Sequence, residues 1–138
     1  METSTAVKIT IHQRIGAALA AIAIGLGAFG SHGLESRLET AGMMETWRTA
    51  VFYHLIHGVC IYFLSSVAGA KPPRRFSLTM NFWIAGVILF SGSLYGLALT
   101  SWGVLGPITP IGGLCLIAGW IVALGAKFIP SSQSPHAR

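Results

Sequence analysis

The sequence predicts an all-α membrane protein with four transmembrane helices and a short amphipathic interfacial segment between the first two. Charged residues make up only 9% of the 138-residue chain, against about 25% in soluble domains. The mean hydropathy of +0.68 also indicates a membrane protein, because helices surrounded by lipid need apolar surfaces. A single membrane domain over residues 1–138 therefore accounts for the chain.

The first predicted span covers residues 11–30 and follows a short polar lead-in. Its small residues recur about every fourth position, a spacing that lets membrane helices approach closely. A cleaved signal peptide is the alternative interpretation, with Lys8 and Arg14 as its charged region and residues 28–30 as its cleavage site. A spanning helix is favoured because the chain after it does not become a soluble domain.

Residues 31–48 form a polar connection between the first two spans. It holds three of the four acidic residues of the chain, Glu35, Glu39 and Glu45. Apolar residues recur within it near helical spacing, which predicts a short amphipathic helix at the membrane surface. Trp47 is the expected anchor at headgroup level, and Gly42 is expected to interrupt the helix.

The other spans are predicted over residues 49–70, 76–99 and 107–126, each long enough to cross the hydrocarbon core. Two prolines and three positive charges, at residues 71–75, separate the second span from the third. Residues 127–138 form a polar tail that we expect on the cytoplasmic side.

Lysine and arginine are distributed unequally between the two sides of the predicted bundle. If the loop at residues 71–75 is cytoplasmic, Arg37 and Arg48 are the only two of the nine basic residues on the other side. This bias predicts a multi-pass membrane protein with both termini cytoplasmic. It also explains the net charge of +5 without nucleic acid, because the basic residues flank apolar runs.

Three short motifs have structural interpretations. Residues 25–30 match G-x-G-x-x-G, but dinucleotide binding needs a preceding strand and a βαβ unit, whereas here an apolar helical run precedes them. Residues 92–96 form a G-x-x-x-G pair, which marks a close helix contact within the protein or between subunits. Cys60 and Cys115 lie inside apolar runs, so a disulfide framework is not indicated.

His54 and His57 stand three residues apart, so they share a face of the second span. Ionisable residues inside a membrane usually face the interior of the bundle. Three interpretations are open: neutral imidazoles hydrogen-bonded to neighbouring helices, weak candidate ligands of a metal or haem, and groups on a proton or substrate path. No matching set of Cys, His, Asp and Glu accompanies them, so no metal site is assigned.

Other polar residues fall at a similar depth. The two histidines lie about 7 and 12 Å below the outer end of the second span, at about 1.5 Å per residue. We predict a polar cluster or shallow cavity open to the non-cytoplasmic side, consisting of His32, His54, His57, Ser91, Ser93, Tyr95 and Thr109. The inner half of the bundle is expected to be nearly all apolar.

Several motifs occur in a characteristic order: GAFGSHGL at 27–34, WRTAVFYHLIH at 47–57, FSGSLY at 90–95, TPIGG at 109–113 and GW at 119–120. Together they resemble the YgdD-like family of small inner-membrane proteins, a domain-of-unknown-function group with eukaryotic transmembrane relatives. The resemblance covers residues 15–126, although the family pattern often has Ala where Ser31 stands. It implies a four-helix protein of bacterial plasma membranes, and it transfers no catalytic residue.

The leading functional hypothesis is a non-enzymatic membrane protein that binds a partner or a lipid, because little of the chain could hold a catalytic domain outside the bilayer. The second is transport of a small solute or a proton through the outer polar cluster. The third is a metal- or haem-binding redox protein that uses the histidine pair. No cofactor and no catalytic residue are predicted. The expected partners are the lipid bilayer, another membrane protein or a second copy of the chain.

Overall fold

The computed structural model describes residues 10–68 and 72–125. Within these two ranges every regular element is a helix, which confirms the all-α fold. The elements are α1 (Ile11–Ser31), α2 (Glu35–Thr40), α3 (Met44–Val67), α4 (Arg74–Thr100), a 3₁₀ turn (Gly103–Leu105) and α5 (Ile108–Leu124). Four segments are long and apolar enough to cross a membrane, namely α1, α3, α4 and the stretch Gly103–Leu124.

The predicted spans and the helices differ mainly at their ends. Helix α3 begins at Met44, five residues before the predicted start at Thr49. Its first turn is polar, so the apolar run alone does not include it. That turn holds an exposed ion pair in which Arg48 lies 2.8 Å from Glu45. The polar lead-in up to residue 9, residues 69–71 and the tail from residue 126 lie outside the described residues.

The polar connection folds against the ends of the long helices. Leu38 of α2 is completely buried and packs with Trp47 and Ala98. The guanidinium of Arg37 donates a 2.6 Å hydrogen bond to the carbonyl oxygen of Leu99. Gly42 adopts a φ of +66°, the left-handed conformation that commonly ends a helix. The segment is therefore anchored to the bundle as well as being amphipathic.

The four spanning helices form two antiparallel pairs, α1 with α3 and α4 with α5, which meet where α3 packs against α4. Glycines lie at both close contacts. A Cβ atom on Gly58 of α3 would lie 2.8 Å from the backbone nitrogen of Ala20. A Cβ atom on Gly112 of α5 would collide with the backbone of Phe90. These positions need glycine because each helix touches the backbone of its neighbour.

The two ends of the bundle differ in charge. At one end, hereafter the basic end, Arg14 lies in the first turn of α1, and Arg74 and Arg75 are the first two residues of α4. The opposite end carries α2 and the 3₁₀ turn and is called the α2 end. Between them, large apolar side chains such as Ile24, Phe63, Ile88 and Leu114 are exposed on all four helices. A surface of this kind fits a hydrocarbon environment rather than water.

Candidate functional site

His57 is hydrogen-bonded through both of its ring nitrogens. Nδ1 lies 2.8 Å from the carbonyl oxygen of Tyr53, and Nε2 lies 3.1 Å from the indole nitrogen of Trp120. A carbonyl only accepts and an indole N–H only donates. The proton of the imidazole is therefore on Nδ1, and Nε2 accepts from Trp120. This is a neutral histidine that links α3 to α5.

His54 lies one turn closer to the α2 end and faces α4. Its Nδ1 is 3.4 Å from the hydroxyl oxygen of Tyr95. Its Nε2 is buried and has no hydrogen-bond partner among the described residues. The Tyr95 ring also packs edge-on against Trp47, with 4.8 Å between ring centroids. The two histidines therefore share a helix face but contact different neighbouring helices.

Ser93 and Thr109 join α4 to α5. Their hydroxyl oxygens are 2.7 Å apart. Each hydroxyl also has a backbone acceptor near it, the carbonyl oxygen of Phe90 at 2.9 Å for Ser93 and that of Leu105 at 3.4 Å for Thr109, so either hydroxyl can donate to the other. Ser93 is buried, so this bond lies between the helices and not on a free surface.

The structure brings the predicted cluster together only in part. It pairs His54 with Tyr95 and Ser93 with Thr109, whereas His57 turns toward Trp120. Ser91 is fully buried and makes no hydrogen bond within the described residues. His32 is exposed where α1 ends. That these residues form one functional site stays a prediction.

Three residues that contact the histidines or lie buried beside them were given no site role from the sequence. Trp120 is the hydrogen-bond partner of His57, and Trp83 packs against the His57 ring with 5.8 Å between ring centroids. Thr79 is buried near the basic end, so the inner half of the bundle also holds a buried hydroxyl, and its nearly apolar character stays a prediction. Threonine and tryptophan are ordinary residues of membrane helices. Trp120 belongs to the GW motif at 119–120, but neither that motif nor any spacing signal indicates which side chains these three residues contact.

A groove of about 260 Å³ lies beside His57. Its lining is almost entirely apolar, and Trp120, which forms part of it, is 46% exposed on the lipid-facing surface. The lining residues come from α3, α4 and α5 and are Tyr53, His57, Phe90, Gly113, Leu116, Ile117 and Trp120. His57 and Trp120 at its edge are hydrogen-bonded to each other, so the groove offers mainly hydrocarbon and aromatic surface to a ligand.

The described residues contain no group of three His, Cys, Asp or Glu side chains that could hold a metal ion. Both ring nitrogens of His57, either of which could bind a metal, are already in hydrogen bonds. Cys60 and Cys115 are free thiols, both half-buried. The absence of a cofactor nevertheless stays a prediction.

Comparison with known proteins identifies relatives of this chain. A family model described as "Protein of unknown function (DUF423)" matches residues 26–113. A UPF0382 membrane protein of Staphylococcus haemolyticus is 42% identical over 118 residues, which cover 83% of this chain and 92% of the relative. UPF0382 membrane protein YwdK of Bacillus subtilis is 41% identical over 114 residues, covering 81% and 91%. No solved structure matches the chain.

A eukaryotic relative is also found. A UPF0382 membrane protein of Schizosaccharomyces pombe is 38% identical over 110 residues, covering 75% of this chain and 89% of the relative. The resemblance drawn from the ordered motifs is thus confirmed, including its extension to eukaryotes. The relatives are named membrane proteins, in agreement with the four apolar helices. The chain therefore belongs to the DUF423 family of small membrane proteins of unknown function.

Proposed function

We propose that this protein is a non-enzymatic membrane protein that binds a lipid hydrocarbon chain in the groove between α3 and α5. The groove is the observation that carries the proposal. It is an apolar, partly open recess that combines aromatic rings with a glycine, and recesses with few polar groups are typical ligand sites. Inside a bilayer the ligand with the readiest access to such a recess is an apolar chain.

The groove has a volume of about 260 Å³ and is partly open to the surface of the bundle. A partner helix, about 10–12 Å across with its side chains, would cover the opening and insert a side chain, whereas part of a single acyl chain could lie inside. We therefore take an acyl chain as the occupant.

Binding fits the groove better than catalysis does. The side chain at its edge best suited to acid–base chemistry is His57, and hydrogen bonds to Tyr53 and Trp120 use both of its nitrogens. A metal on Nε2 would have to displace Trp120. His57 therefore gives no support to the metal or haem hypothesis.

We propose also that the basic end faces the cytoplasm of a plasma membrane. Arg14, Arg74 and Arg75 lie at that end, and the positive-inside rule places such residues on the cytoplasmic side. Fusions of alkaline phosphatase and of a fluorescent protein to each terminus would test this. Both termini should give the cytoplasmic signal, and phosphatase activity at either terminus would contradict the orientation.

Lipid retention tests the proposed function. Purified protein, stripped of loosely bound lipid, would be analysed by native mass spectrometry beside Gly113→Leu. A Cβ atom on Gly113 meets only the Phe90 ring, at 3.6 Å, so the leucine should fill the groove without breaking the α4–α5 contact. We expect the wild type to retain lipid and the variant to lose it.

Gly25→Leu is the matched control, because a Cβ atom on Gly25 meets nothing within 4 Å and Gly25 is exposed on α1, away from the groove. It should retain lipid as the wild type does. Equal retention in the two glycine variants would contradict the proposal. So would retention of a second protein chain, in place of lipid, that Gly113→Leu alone releases.

A further inference from the structure

The groove beside His57 lies near the middle of every helix that lines it. The midpoint of α3 falls between its two lining residues, Tyr53 and His57. The midpoint of α5 falls within its lining stretch, from Gly113 to Trp120. The single lining residue of α4, Phe90, lies about 4.5 Å from the midpoint of that helix, at about 1.5 Å per residue. The groove is therefore far from both ends of the bundle.

This depth corresponds to the centre of the bilayer. A hydrocarbon core of about 30 Å has its centre about 15 Å from each interface. The groove extends along α5 from Gly113 to Trp120, about 10 Å at about 1.5 Å per residue. It thus reaches about 5 Å to either side of the centre. Headgroups lie outside this layer, so a lipid from either leaflet reaches the groove with roughly the last third of its acyl chain.

The lining of the groove complements this part of a lipid. Within the described residues, no charged side chain lines it. Its histidine and its indole are hydrogen-bonded to each other, from Trp120 to His57. The remaining surface is aromatic and aliphatic, and Ile117, which is 57% exposed, opens it to the surrounding chains. A lining of this kind offers contacts to methylene and methyl groups and no partner to a phosphate or an ammonium group.

Packing contacts have to drive binding here, because a chain end that enters the groove leaves one apolar environment for another. A recess between helices leaves its lining atoms without contact partners. A chain end that fills the recess restores these contacts, and their number increases with the length of chain that reaches the groove. A chain too short to reach the centre of the bilayer restores none of them.

We infer that the groove binds the terminal segments of acyl chains and selects lipids by chain length and not by headgroup. The inference rests on the proposed binding of a lipid chain in the groove and adds which part of the lipid occupies it. Lipids of either leaflet can then act as ligands, since the groove lies at the same distance from both headgroup layers.

Competition between lipids tests the selection. The full chain would be equilibrated in vesicles with equal amounts of dioleoyl and dilauroyl phosphatidylcholine, extracted, and analysed by native mass spectrometry. Lipid that Gly113→Leu also retains is bound elsewhere and is subtracted. We expect about tenfold more of the longer oleoyl lipid, as the loss of about ten carbon–carbon contacts by the shorter chain would give. In a second mixture, dioleoyl phosphatidylcholine and dioleoyl phosphatidylglycerol should be retained equally.

Each result of this competition has a separate meaning. Equal retention of the oleoyl and lauroyl lipids, or a severalfold preference for one headgroup, would overturn the inference and leave lipid binding in the groove intact. Retention of no lipid beyond that held by Gly113→Leu would overturn the proposed function and this inference with it.

Photocrosslinking of the wild type gives an independent test that needs no variant. Two phosphatidylcholine probes would carry a diazirine, one at the end of an oleoyl-length chain and the other beside the glycerol. Leu114 is the internal control, because it is 66% exposed within one turn of Ile117 and does not line the groove. We expect the terminal probe to label Ile117 severalfold more than Leu114. Equal labelling of the two residues, or labelling of Ile117 by the probe beside the glycerol, would overturn the inference.

Discussion

The indole N–H of Trp120 donates to Nε2 of His57 over 3.1 Å, and this bond ties α5 to α3. We expect Trp120→Phe to destabilise the protein by about 1–3 kcal/mol, because it leaves a buried nitrogen unpaired. A double-mutant cycle with His57→Leu should give a coupling energy of about 0.5–1.5 kcal/mol. Denaturant titration in mixed micelles measures it, and additive effects of the two changes would show that the bond adds no stability.

The close contact between α4 and α5 makes a second prediction. Gly112→Ala places a Cβ atom against the backbone of Phe90, so it should cost about 1–3 kcal/mol, as overpacking of a filled core does. Gly92→Ala is the control, because a Cβ atom there meets nothing within 4 Å. Thermal unfolding in detergent compares them. Equal melting temperatures would mean that α4 and α5 can shift apart enough to accommodate the added methyl group without loss of stability.

The end of α4 is strained at one residue. Ser101 has a φ of +57°, a left-handed conformation that disfavours side chains other than glycine. Ser101→Gly should stabilise the protein by about 0.5–1 kcal/mol, whereas Ser101→Ala should not. The unfolding midpoints of the two variants check this. A lower midpoint for the glycine variant would contradict it.

The docking of α2 depends on one apolar side chain. Leu38 is completely buried against Trp47 and Ala98, so Leu38→Ala should cost about 2–5 kcal/mol. Hydrogen exchange should show α2 losing protection before the spanning helices do. Thr40→Ala is a suitable control, because Thr40 is exposed and its hydroxyl donates only to the Ser36 carbonyl oxygen within the same helix. If both variants exchange at the same rate, α2 is not held by Leu38.

The sequence was sufficient to predict the spans, because apolar length is a property of each helix alone. It could not predict which helices pair. His54 and His57 were correctly expected to share a face and to face inward, yet one reaches Tyr95 of α4 and the other Trp120 of α5. That outcome depends on how the helices cross, and no feature of the second span encodes it.

The buried polar side chains of α4 show the same limit. Thr79 and Trp83 lie in an apolar run, and nothing local distinguishes a threonine that faces the interior from one that bonds to its own helix. The early start of α3 at Met44 also depended on distant contacts, because Trp47 is held by a 3.0 Å hydrogen bond from its indole to the carbonyl oxygen of Leu26. Residues far apart in sequence decided these features.

The pairing of α1 with α3 and of α4 with α5 has a consequence for biogenesis. Each pair is a hairpin of consecutive spans whose close glycine contacts involve no residue of the other hairpin. The first hairpin can therefore insert and pack while the ribosome is still synthesising the second, in keeping with membrane helices that are stable before they associate. The last surface to close during assembly is then the seam between α3 and α4.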